Sequence, residues 1–417
     1  MSEHMNGAES LIRTLVSAGV DSCFTNPGTS EMHIVAALDR VPEMRCVLGL
    51  FEGVVTGAAD GYARMADKPA CTVLHLGPGL ANGIANLHNA SRAHVPIVNL
   101  VGQHATYHLR HDTPLVSDIE TIARPYSKWL RTSLSSHEVG RDAVEAIVAA
   151  RSAPGQIATM IIPADVAWTE GGIVAALPSL PKPLVPAISS INRAAALLRS
   201  GSPIAVLLSG NALYGKGLAV AGRIATATNA KLLAPYPVTR LERGAGIPAV
   251  DRIQYVREMA VEQLKEFRQI ILVGARAPIG YFAQPGNDSV FTLPECEIYT
   301  LANPGEDYVG ALEAVESALS PNRTETVVEK ALRPSLPNGE ITLAGLAAVV
   351  GALLPENTIV VDESMTSGRG MMAATRGAPP HDWLGNTGGS IGIALPLAVG
   401  AAVAYPDRQV LCLTADG

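Results

Sequence analysis

Glu52 stands where a short apolar segment gives way to a segment rich in small residues, and this change predicts a strand followed by a helix. Gly53, Gly57 and Gly61 recur every four residues, so they lie on one face of that helix. Each glycine costs a helix about 1 kcal/mol relative to alanine, so three on one face indicate that another backbone approaches closely there. A carboxylate at such a contact has little access to water, which suits proton exchange with a bound base. A charge that merely favours a helix N-terminus is the simpler alternative.

The segment 26–31 reads Asn-Pro-Gly-Thr-Ser-Glu and follows another apolar run. Proline fixes one backbone angle and glycine permits an unusual one, so this segment predicts a turn into a helix. Thr29 or Ser30 is expected to cap that helix, with Glu31 in its first turn. Backbone amides at such a helix start also favour an anion.

His75 ends an apolar run and precedes Gly77-Pro78-Gly79, which is expected to turn into a helix over Ala81–Ala93. A lone histidine has a structural role more often than a chemical one. Open α/β sheets, however, bind ligands at the carboxyl ends of their strands. His75 is therefore a candidate for proton transfer or for binding a substrate oxygen.

A cluster of ring-bearing and basic side chains follows the next predicted strand. Its spacing is too dense and irregular for a convincing zinc site. A solvated loop and a loop with one histidine that meets substrate both remain open. The cluster consists of His104, Tyr107, His108, Arg110 and His111.

Three motifs near the end of the chain carry further candidates. Residues 362–366 read Asp-Glu-Ser-Met-Thr and follow a predicted strand, and residues 388–396 form a glycine-rich turn that leads into a helix. Residues 413–417 read Leu-Thr-Ala-Asp-Gly, and the carboxylate of Asp416 is the kind of ligand that Mg²⁺ prefers.

The order and spacing of these motifs resemble the thiamine-diphosphate-dependent enzymes of the pyruvate-oxidase, acetolactate-synthase and benzoylformate-decarboxylase superfamily. The resemblance implies that Glu52 protonates the cofactor's aminopyrimidine ring. It implies that Thr29 contacts the substrate carboxylate, as a serine does in benzoylformate decarboxylase, and that His75 matches that enzyme's strand-end histidine. The segment Gly77-Pro78-Gly79 instead resembles the acetolactate synthases. The resemblance makes Glu52, His75 and Thr29 the catalytic candidates.

The same resemblance implies a cofactor site built from several segments. Ile391 would support the bent cofactor, and Asp416 would hold the Mg²⁺ that bridges its phosphates. The expected cofactor-binding residues are Asn26, Pro27, Gly28, Glu52, Glu363, Ser364, Thr366, Gly389, Ser390, Ile391, Asp416 and Gly417.

The function implied is non-oxidative decarboxylation of a 2-oxo acid, with acetolactate-synthase-type carboligation of 2-oxo acids as the alternative. FAD is not expected, because the strand near residue 273 runs into Gly-Ala-Arg-Ala-Pro without the acidic pair that flavin-binding synthases carry. A non-catalytic nucleotide-binding fragment is the alternative from another class.

Short apolar runs alternate with helical patterns along the chain, which predicts right-handed crossovers and mostly parallel sheets. We expect an α/β protein of three doubly wound domains: a pyrimidine-binding domain over 1–176, a central domain over 187–325, and the start of a diphosphate-binding domain over 338–417. Proline-rich stretches mark the linkers. A parallel sheet that stops just after residue 414 would leave an open edge, so the third domain is expected to be truncated.

Composition narrows the class of protein. Hydrophobic residues make up 48% and charged residues 17% of the 417 residues, which is enough for large cores. A formal net charge of −7 argues against nucleic acid as a main partner, and no stretch suits a membrane span. Five scattered cysteines without a signal peptide predict a cytoplasmic protein. The resemblance implies a homodimer or homotetramer with active sites at the subunit interfaces.

Overall fold

The computed structural model describes residues 5–320 and 326–415. Within these ranges the chain forms two compact units. The first unit contains the residues up to Pro181 together with those from Asn386 onward, and the second runs from Lys182 to Gly385.

Six strands form the sheet of the first unit, and every neighbouring pair in it is parallel. The strands are β1 (Ser22–Asn26), β2 (Arg45–Leu48), β3 (Ala70–Leu74), β4 (Ile97–Gln103), β5 (Trp129–Thr132) and β6 (Ile157–Pro163). Their order is β2-β1-β3-β4-β6-β5. The strands β3, β4 and β6 are buried along their whole length, as expected for a parallel sheet covered on both faces.

Helices cover both faces of this sheet, which gives the unit two hydrophobic cores. The helices are α1 (Gly7–Ser17), α2 (Met32–Arg40), α3 (Glu52–Ala66), α4 (Leu76–Arg92), α5 (Ile119–Ala123), α6 (Val139–Arg151) and α7 (Ala164–Trp168). One core contains side chains of α1, α2, α6 and α7, and the other contains side chains of α3, α4 and α5. The arrangement is doubly wound, as the alternating sequence pattern predicted.

The second unit contains two smaller sheets. Its strands are β7 (Ile204–Leu208), β8 (Lys231–Ala234), β9 (Leu241–Arg243), β10 (Asp251–Arg252), β11 (Gln269–Val273), β12 (Glu297–Ala302), β13 (Ile359–Glu363) and β14 (His381–Gly385). One sheet is parallel, in the order β10-β8-β7-β11-β12. In the other, β14 pairs parallel with β13 and antiparallel with β9.

Helices of the second unit connect these strands. They are α8 (Ile188–Leu198), α9 (Gly215–Thr228), α10 (Arg257–Leu264), α11 (Tyr308–Leu319), α12 (Leu343–Leu353) and α13 (Met371–Ala374). The chain then returns to the first unit with α14 (Ala394–Ala404) and β15 (Val410–Thr414).

The glycine face of α3 packs against α14 at backbone distance. A Cβ atom on Gly61 would lie 2.0 Å from the carbonyl oxygen of Leu397, and one on Gly400 would lie 1.8 Å from that of Ala58. A Cβ atom on Gly57 would lie 2.8 Å from the ring of Pro396. The predicted close approach of another backbone is thus confirmed, and within this chain α14 supplies it.

Most predicted elements are confirmed, but the start of α4 was wrongly predicted. Gly77-Pro78-Gly79 is not a turn before a helix that begins at Ala81; it forms the first turn of α4, which begins at Leu76. Proline is tolerated there because the first helical N–H groups have no partner within the helix. Strands β5, β9, β10 and β14 were not predicted. Across the described ranges, no helix is both long and apolar enough to cross a membrane.

Candidate active site

The carboxyl ends of three adjacent strands bring the first candidates to one edge of the sheet. Strands β1, β3 and β4 are parallel neighbours. Asn26 is the last residue of β1, while His75 follows β3 and His104 follows β4. Ligands bind at this edge in open α/β sheets, so the topology favours a site here.

The turn after β1 is closed by Glu31 rather than by a hydroxyl side chain. The Gly28 amide donates to Oε2 of Glu31 at 2.8 Å, and neither Thr29 nor Ser30 caps a helix. The predicted cap was therefore wrong, because the longer Glu31 side chain folds back to accept this N–H. The Asn26 side chain donates to the carbonyl oxygen of Gly49 at 2.7 Å.

Glu31 also binds His75, and this pair was not predicted. The Oε2 atom of Glu31 lies 2.7 Å from Nδ1 of His75. The Glu31 side chain is fully buried, and within the described residues its Oε1 atom meets no hydrogen-bond donor. Burying such a group is costly unless it is paired, so the contact with His75 is its main compensation. The spacing of Glu31 from the turn was visible in the sequence, but its contact across strands was not.

Two glycines make room for this pair. A Cβ atom on Gly28 would lie 2.3 Å from Nδ1 of His75, and one on Gly102 would lie 1.6 Å from Oε1 of Glu31. Since Nδ1 is held by Glu31, Nε2 is the ring nitrogen left for a ligand. The residue after His75, Leu76, has a left-handed φ of 52°, which is strained for a side chain of this size.

Glu52 and His75 lie on either side of the first turn of α4. A Cβ atom on Gly79 would lie 3.1 Å from Oε1 of Glu52 and 3.3 Å from Cβ of His75. Glu52 is the first residue of α3 and is only 8% exposed. Its Oε2 atom accepts a hydrogen bond from the Asn82 side chain at 3.0 Å. The structure thus brings these two candidates to the same turn of α4, and Thr29 is exposed on the turn after β1.

The glycine-rich segment lies farther along α4. The Ser390 amide donates to Oδ1 of Asn89 at 3.1 Å, and the Ser390 carbonyl accepts from the Asn89 side chain at 2.9 Å. Asn89 is seven residues beyond Asn82, the partner of Glu52, or about 10 Å along the helix. Gly389 has a φ of 81°, and Ile391 is 64% exposed. Among the described residues, this segment is held by Asn89 and makes no hydrogen bond to Glu52.

The remaining candidates lie in the second unit or outside the described residues. Glu363 ends β13 and is buried, Ser364 donates to Oδ1 of Asp362, and Thr366 is exposed. Asp416 and Gly417 lie outside the described residues. Within the described ranges no group of three or more histidine, cysteine or carboxylate side chains suits a metal ion.

The residues around Glu52 fit the pyrimidine end of thiamine diphosphate. Asn82 is the hydrogen-bond partner of the Glu52 carboxylate among the described residues, which leaves Oε1 for a ring nitrogen. The missing side chain of Gly79 leaves space at that oxygen. A nearly buried carboxylate with one free oxygen is the group that proton exchange with a bound base requires.

Comparisons with known proteins identify the class to which this fold and site belong. The family profile described as "Thiamine pyrophosphate enzyme, N-terminal TPP binding domain" matches residues 5–121. The profile described as "Thiamine pyrophosphate enzyme, C-terminal TPP binding domain" matches residues 367–417. The class is therefore that of enzymes that use thiamine diphosphate.

The names of individual relatives agree with this class of enzyme. The chain is 54% identical over 413 residues to a Mycobacterium tuberculosis protein named "Putative acetolactate synthase large subunit IlvX", covering 99% of this chain and 79% of that protein. It is 26% identical over 436 residues to benzoylformate decarboxylase of Pseudomonas aeruginosa, covering 96% and 78%. The chain belongs to the thiamine pyrophosphate enzyme family.

Solved structures confirm the fold. A thiamine diphosphate-dependent 4-hydroxybenzoylformate decarboxylase from Rhodococcus jostii superposes with a TM-score of 0.80 at 23% identity, covering 97% of this chain and 80% of that one. The predicted superfamily, the α/β fold and the thiamine-diphosphate-dependent enzyme class are confirmed. The predicted domain boundaries and the roles of individual site residues stay predictions.

Proposed function

We propose that this protein decarboxylates a 2-oxo acid non-oxidatively and releases an aldehyde. The observation that carries the proposal is the Glu31–His75 pair, which lies beside Glu52 at the carboxyl edge of the sheet. An imidazole held by a buried carboxylate is suited to deliver a proton, and aldehyde release requires one. The names of the relatives support the choice of a 2-oxo acid as substrate.

Each candidate residue has a separate role in this proposal. Thiamine diphosphate supplies the nucleophilic carbon and the electron sink needed for loss of CO₂. Glu52 would hold the pyrimidine ring of the bound cofactor through Oε1 and could exchange a proton with it. His75 donates a proton from Nε2 to the reacting carbon and holds the substrate oxygen. The hydroxyl of Thr29 binds the substrate carboxylate at the turn after β1.

The phosphate end of the cofactor would be bound by the later motifs. Asp416 would hold Mg²⁺ through its carboxylate, since Mg²⁺ prefers oxygen ligands and phosphate. Ile391 would support the bent cofactor, and Glu363 with Ser364 would meet it from the end of β13. We assign 1–176, 187–325 and 338–417 as pyrimidine-binding, central and diphosphate-binding domains on the same grounds.

We also propose a homodimer or homotetramer with the active site at a subunit interface. Large apolar side chains are exposed around the start of α3 and on α14, and exposed apolar patches mark interaction sites. They include Leu48 (65% exposed), Leu50 (89%), Phe51 (50%) and Leu395 (62%).

Carboligation to an acetohydroxy acid is the second candidate. The name of the relative with 54% identity favours it, as does the Gly77-Pro78-Gly79 segment. Both reactions begin with loss of CO₂ from a 2-oxo acid, and they differ in whether a proton or a second 2-oxo acid is then added to the remaining acyl carbon.

The identity of the product distinguishes the two reactions. The protein with thiamine diphosphate and Mg²⁺ should be incubated separately with benzoylformate and with pyruvate, and the products followed by proton NMR. We expect an aldehyde as the main product, with no change in rate when FAD is added. Acetohydroxy acid as the main product, or no release of CO₂ from any 2-oxo acid, would overturn the proposal.

A further inference from the structure

A fully buried asparagine near the end of α4 binds both main-chain groups of Ser390. Oδ1 of Asn89 accepts from the Ser390 amide at 3.1 Å, and Nδ2 of Asn89 donates to the Ser390 carbonyl at 2.9 Å. Nδ2 also donates to Oδ1 of Asn86 at 3.0 Å. The carbonyl oxygen and the NH₂ group of this side chain are therefore both fully engaged. We call residues 386–392, which surround Ser390, the clamped segment.

The same part of α4 holds two further residues of the clamped segment. The Thr387 hydroxyl donates to the Asn89 carbonyl at 2.8 Å, and Nε2 of His88 donates to the Gly388 carbonyl at 3.0 Å. A Cβ atom on Gly388 would lie 2.4 Å from Oδ1 of Asn89. The absence of a side chain at Gly388 thus lets the segment come close enough for Asn89 to bind it.

These hydrogen bonds fix a stretch of backbone that side-chain packing does not hold. Gly389 and Gly392 have left-handed φ values of 81° and 87°, and among the described residues no atom lies within 4 Å of the place where either would carry a Cβ. Ile391 lies between them and is 64% exposed. Because glycine allows many backbone conformations, such a stretch keeps one conformation only if other groups hold it. The conformation of the clamped segment therefore depends on its hydrogen bonds more than on apolar contacts.

We propose that Asn89 is a positioning residue, which holds the clamped segment in its cofactor-binding conformation before the cofactor binds. This inference rests on the proposed function, in which Ile391 supports bound thiamine diphosphate. When only a fraction of the protein has the binding conformation, the apparent affinity for the ligand falls in proportion to that fraction. Asn89 thereby acts on the affinity for the cofactor and not on the reaction of the bound substrate.

The same face of α4 also holds the first turn of α3. Asn82, Asn86 and Asn89 are spaced by four and three residues, so they share one face of the helix. Asn82 donates to Glu52 at 3.0 Å, and Asn86 donates to the Gly53 carbonyl at 2.7 Å. One helix face therefore fixes both the Glu52 carboxylate and the clamped segment.

The test compares Asn89→Ala with the control Asn99→Ala. Asn99 lies on β4, is equally buried, and is bonded through its side chain to the hydroxyls of Thr72 and Thr159 at 2.7 and 3.0 Å. The dissociation constant for thiamine diphosphate in excess Mg²⁺ should be measured by calorimetry, beside kcat at saturating cofactor. We expect Asn89→Ala to weaken cofactor binding about 10-fold and to keep kcat within about threefold of wild type. Asn99→Ala should lower the melting temperature as well but bind the cofactor as wild type does, because its bonds do not reach the clamped segment.

Asn386→Ala tests the same inference from a half-buried position. Asn386 accepts from the Gly389 amide at 2.9 Å and donates to the Ser390 carbonyl at 3.0 Å, so its loss also loosens the clamped segment. We expect cofactor binding to be about 10-fold weaker in this variant too. Hydrogen exchange of the protein without cofactor, followed by mass spectrometry, should be slow over residues 386–392 in wild type and faster in both variants, because protection requires formed hydrogen bonds.

Unchanged cofactor affinity in both variants, or an equal weakening in Asn99→Ala, would overturn the inference. Rapid exchange of the clamped segment in wild type until cofactor is added would also overturn it, since the segment would then not be preformed. A wild-type protein that binds no thiamine diphosphate would overturn both this inference and the proposed function. A wild-type protein that binds the cofactor but releases no CO₂ from any 2-oxo acid would overturn the proposed function alone, and the affinities would still decide the role of Asn89.

Discussion

A single buried carboxylate organises the chemistry at the residue scale. Oε2 of Glu31 binds both the Gly28 amide and Nδ1 of His75, at 2.8 and 2.7 Å. These contacts fix the orientation of the imidazole through Nδ1 and leave Nε2 as the nitrogen available to a ligand. His75 is thereby held in place, while Oε1 of Glu52 has no hydrogen-bond partner among the described residues and is left for a ring nitrogen.

Gly28→Ala tests how far His75 depends on this packing. The added Cβ would lie 2.3 Å from Nδ1 of His75, so the ring must move and its hydrogen bond to Glu31 must break. The backbone itself accepts alanine, since φ of Gly28 is −129°. We expect kcat to fall about 100-fold. The melting temperature should fall as well, because the buried Glu31 carboxylate loses a hydrogen-bond partner.

The matched control is Ser30→Ala, two residues along the same turn, which should retain nearly full activity. Steady-state kinetics and a thermal melt of each variant provide the comparison. Equal activity of Gly28→Ala and wild type would show that the Glu31–His75 contact is dispensable.

At the scale of elements, the contact between α3 and α14 depends on the absence of side chains. At Gly61 and Gly400 the two helices lie so close that one added methyl group would overlap a backbone carbonyl of the facing helix. The same helix carries a buried ion pair, in which Arg64 donates to both oxygens of Asp60 at 2.7 Å. Arg64 also reaches the Thr387 hydroxyl at 3.1 Å, which ties α3 to the segment before α14.

Gly400→Ala should destabilise the first unit although alanine is the better helix former. Helix propensity would favour the change by about 1 kcal/mol. The new Cβ would lie 1.8 Å from the carbonyl oxygen of Ala58, however, and backbone cannot move aside as a side chain can. We expect a net loss of about 1–3 kcal/mol in the free energy of unfolding, measured by urea titration.

Gly53→Ala on α3 is the control for this change. Its Cβ would lie 2.6 Å from the Phe51 ring, which is half exposed and able to turn away. We expect almost no loss of stability there. A Gly400→Ala protein as stable as wild type would mean that the two helices are not packed this closely.

The sequence revealed the elements of this site better than the contacts between them. Apolar runs and helical periodicity predicted β1, β3 and β4, and with them the edge where His75 lies. Four strands escaped prediction: β5 and β14 contain polar or charged residues, and β9 and β10 are too short for an alternating pattern. The Glu31–His75 bond joins residues 44 positions apart, and a lone histidine or glutamate carries no signal of its distant partner.

The start of α4 shows the same limit of prediction from sequence. The Gly-Pro-Gly segment after His75 has the composition of a turn, but proline and glycine are also tolerated in a first helical turn. In the folded chain, Glu52 and His75 pack around Gly79 in the first turn of α4. That packing depends on contacts between strands that are distant in sequence.

For the molecule as a whole, the family is established and the chemistry within it is proposed.

One property of the whole protein follows from a buried network in the second unit. His381 is 2% exposed; its Nδ1 donates to the Pro379 carbonyl at 2.7 Å, and its Nε2 accepts from Arg243 at 3.3 Å. Burial lowers the pKa of His381 to about 4, and Arg243 lowers it as well, while the bond to Pro379 opposes them.

Stability of the second unit should therefore fall in mild acid. In the unfolded chain this histidine takes up a proton near pH 6.5, whereas in the folded chain it does so only near pH 4. Its contribution to the free energy of unfolding is therefore complete above pH 6.5 and is lost as the pH falls from 6.5 to about 4. The loss should reach about 3 kcal/mol. Urea titrations across this range should show the slope in wild type and a shallower one in His381→Gln, whereas His137→Gln should keep the wild-type slope. Identical slopes in all three proteins would contradict the assignment.

The most direct test of the central claim is the turnover of Glu52→Gln beside its binding of thiamine diphosphate. The substitution keeps the size of the side chain and its contact with Asn82, but it removes the group that exchanges a proton with the pyrimidine ring. We expect the variant to bind the cofactor in a calorimeter and to lose more than about 100-fold in the release of CO₂ from a 2-oxo acid. The exposed control Glu43→Gln should behave as wild type. A Glu52→Gln protein with activity within about tenfold of wild type would contradict the account.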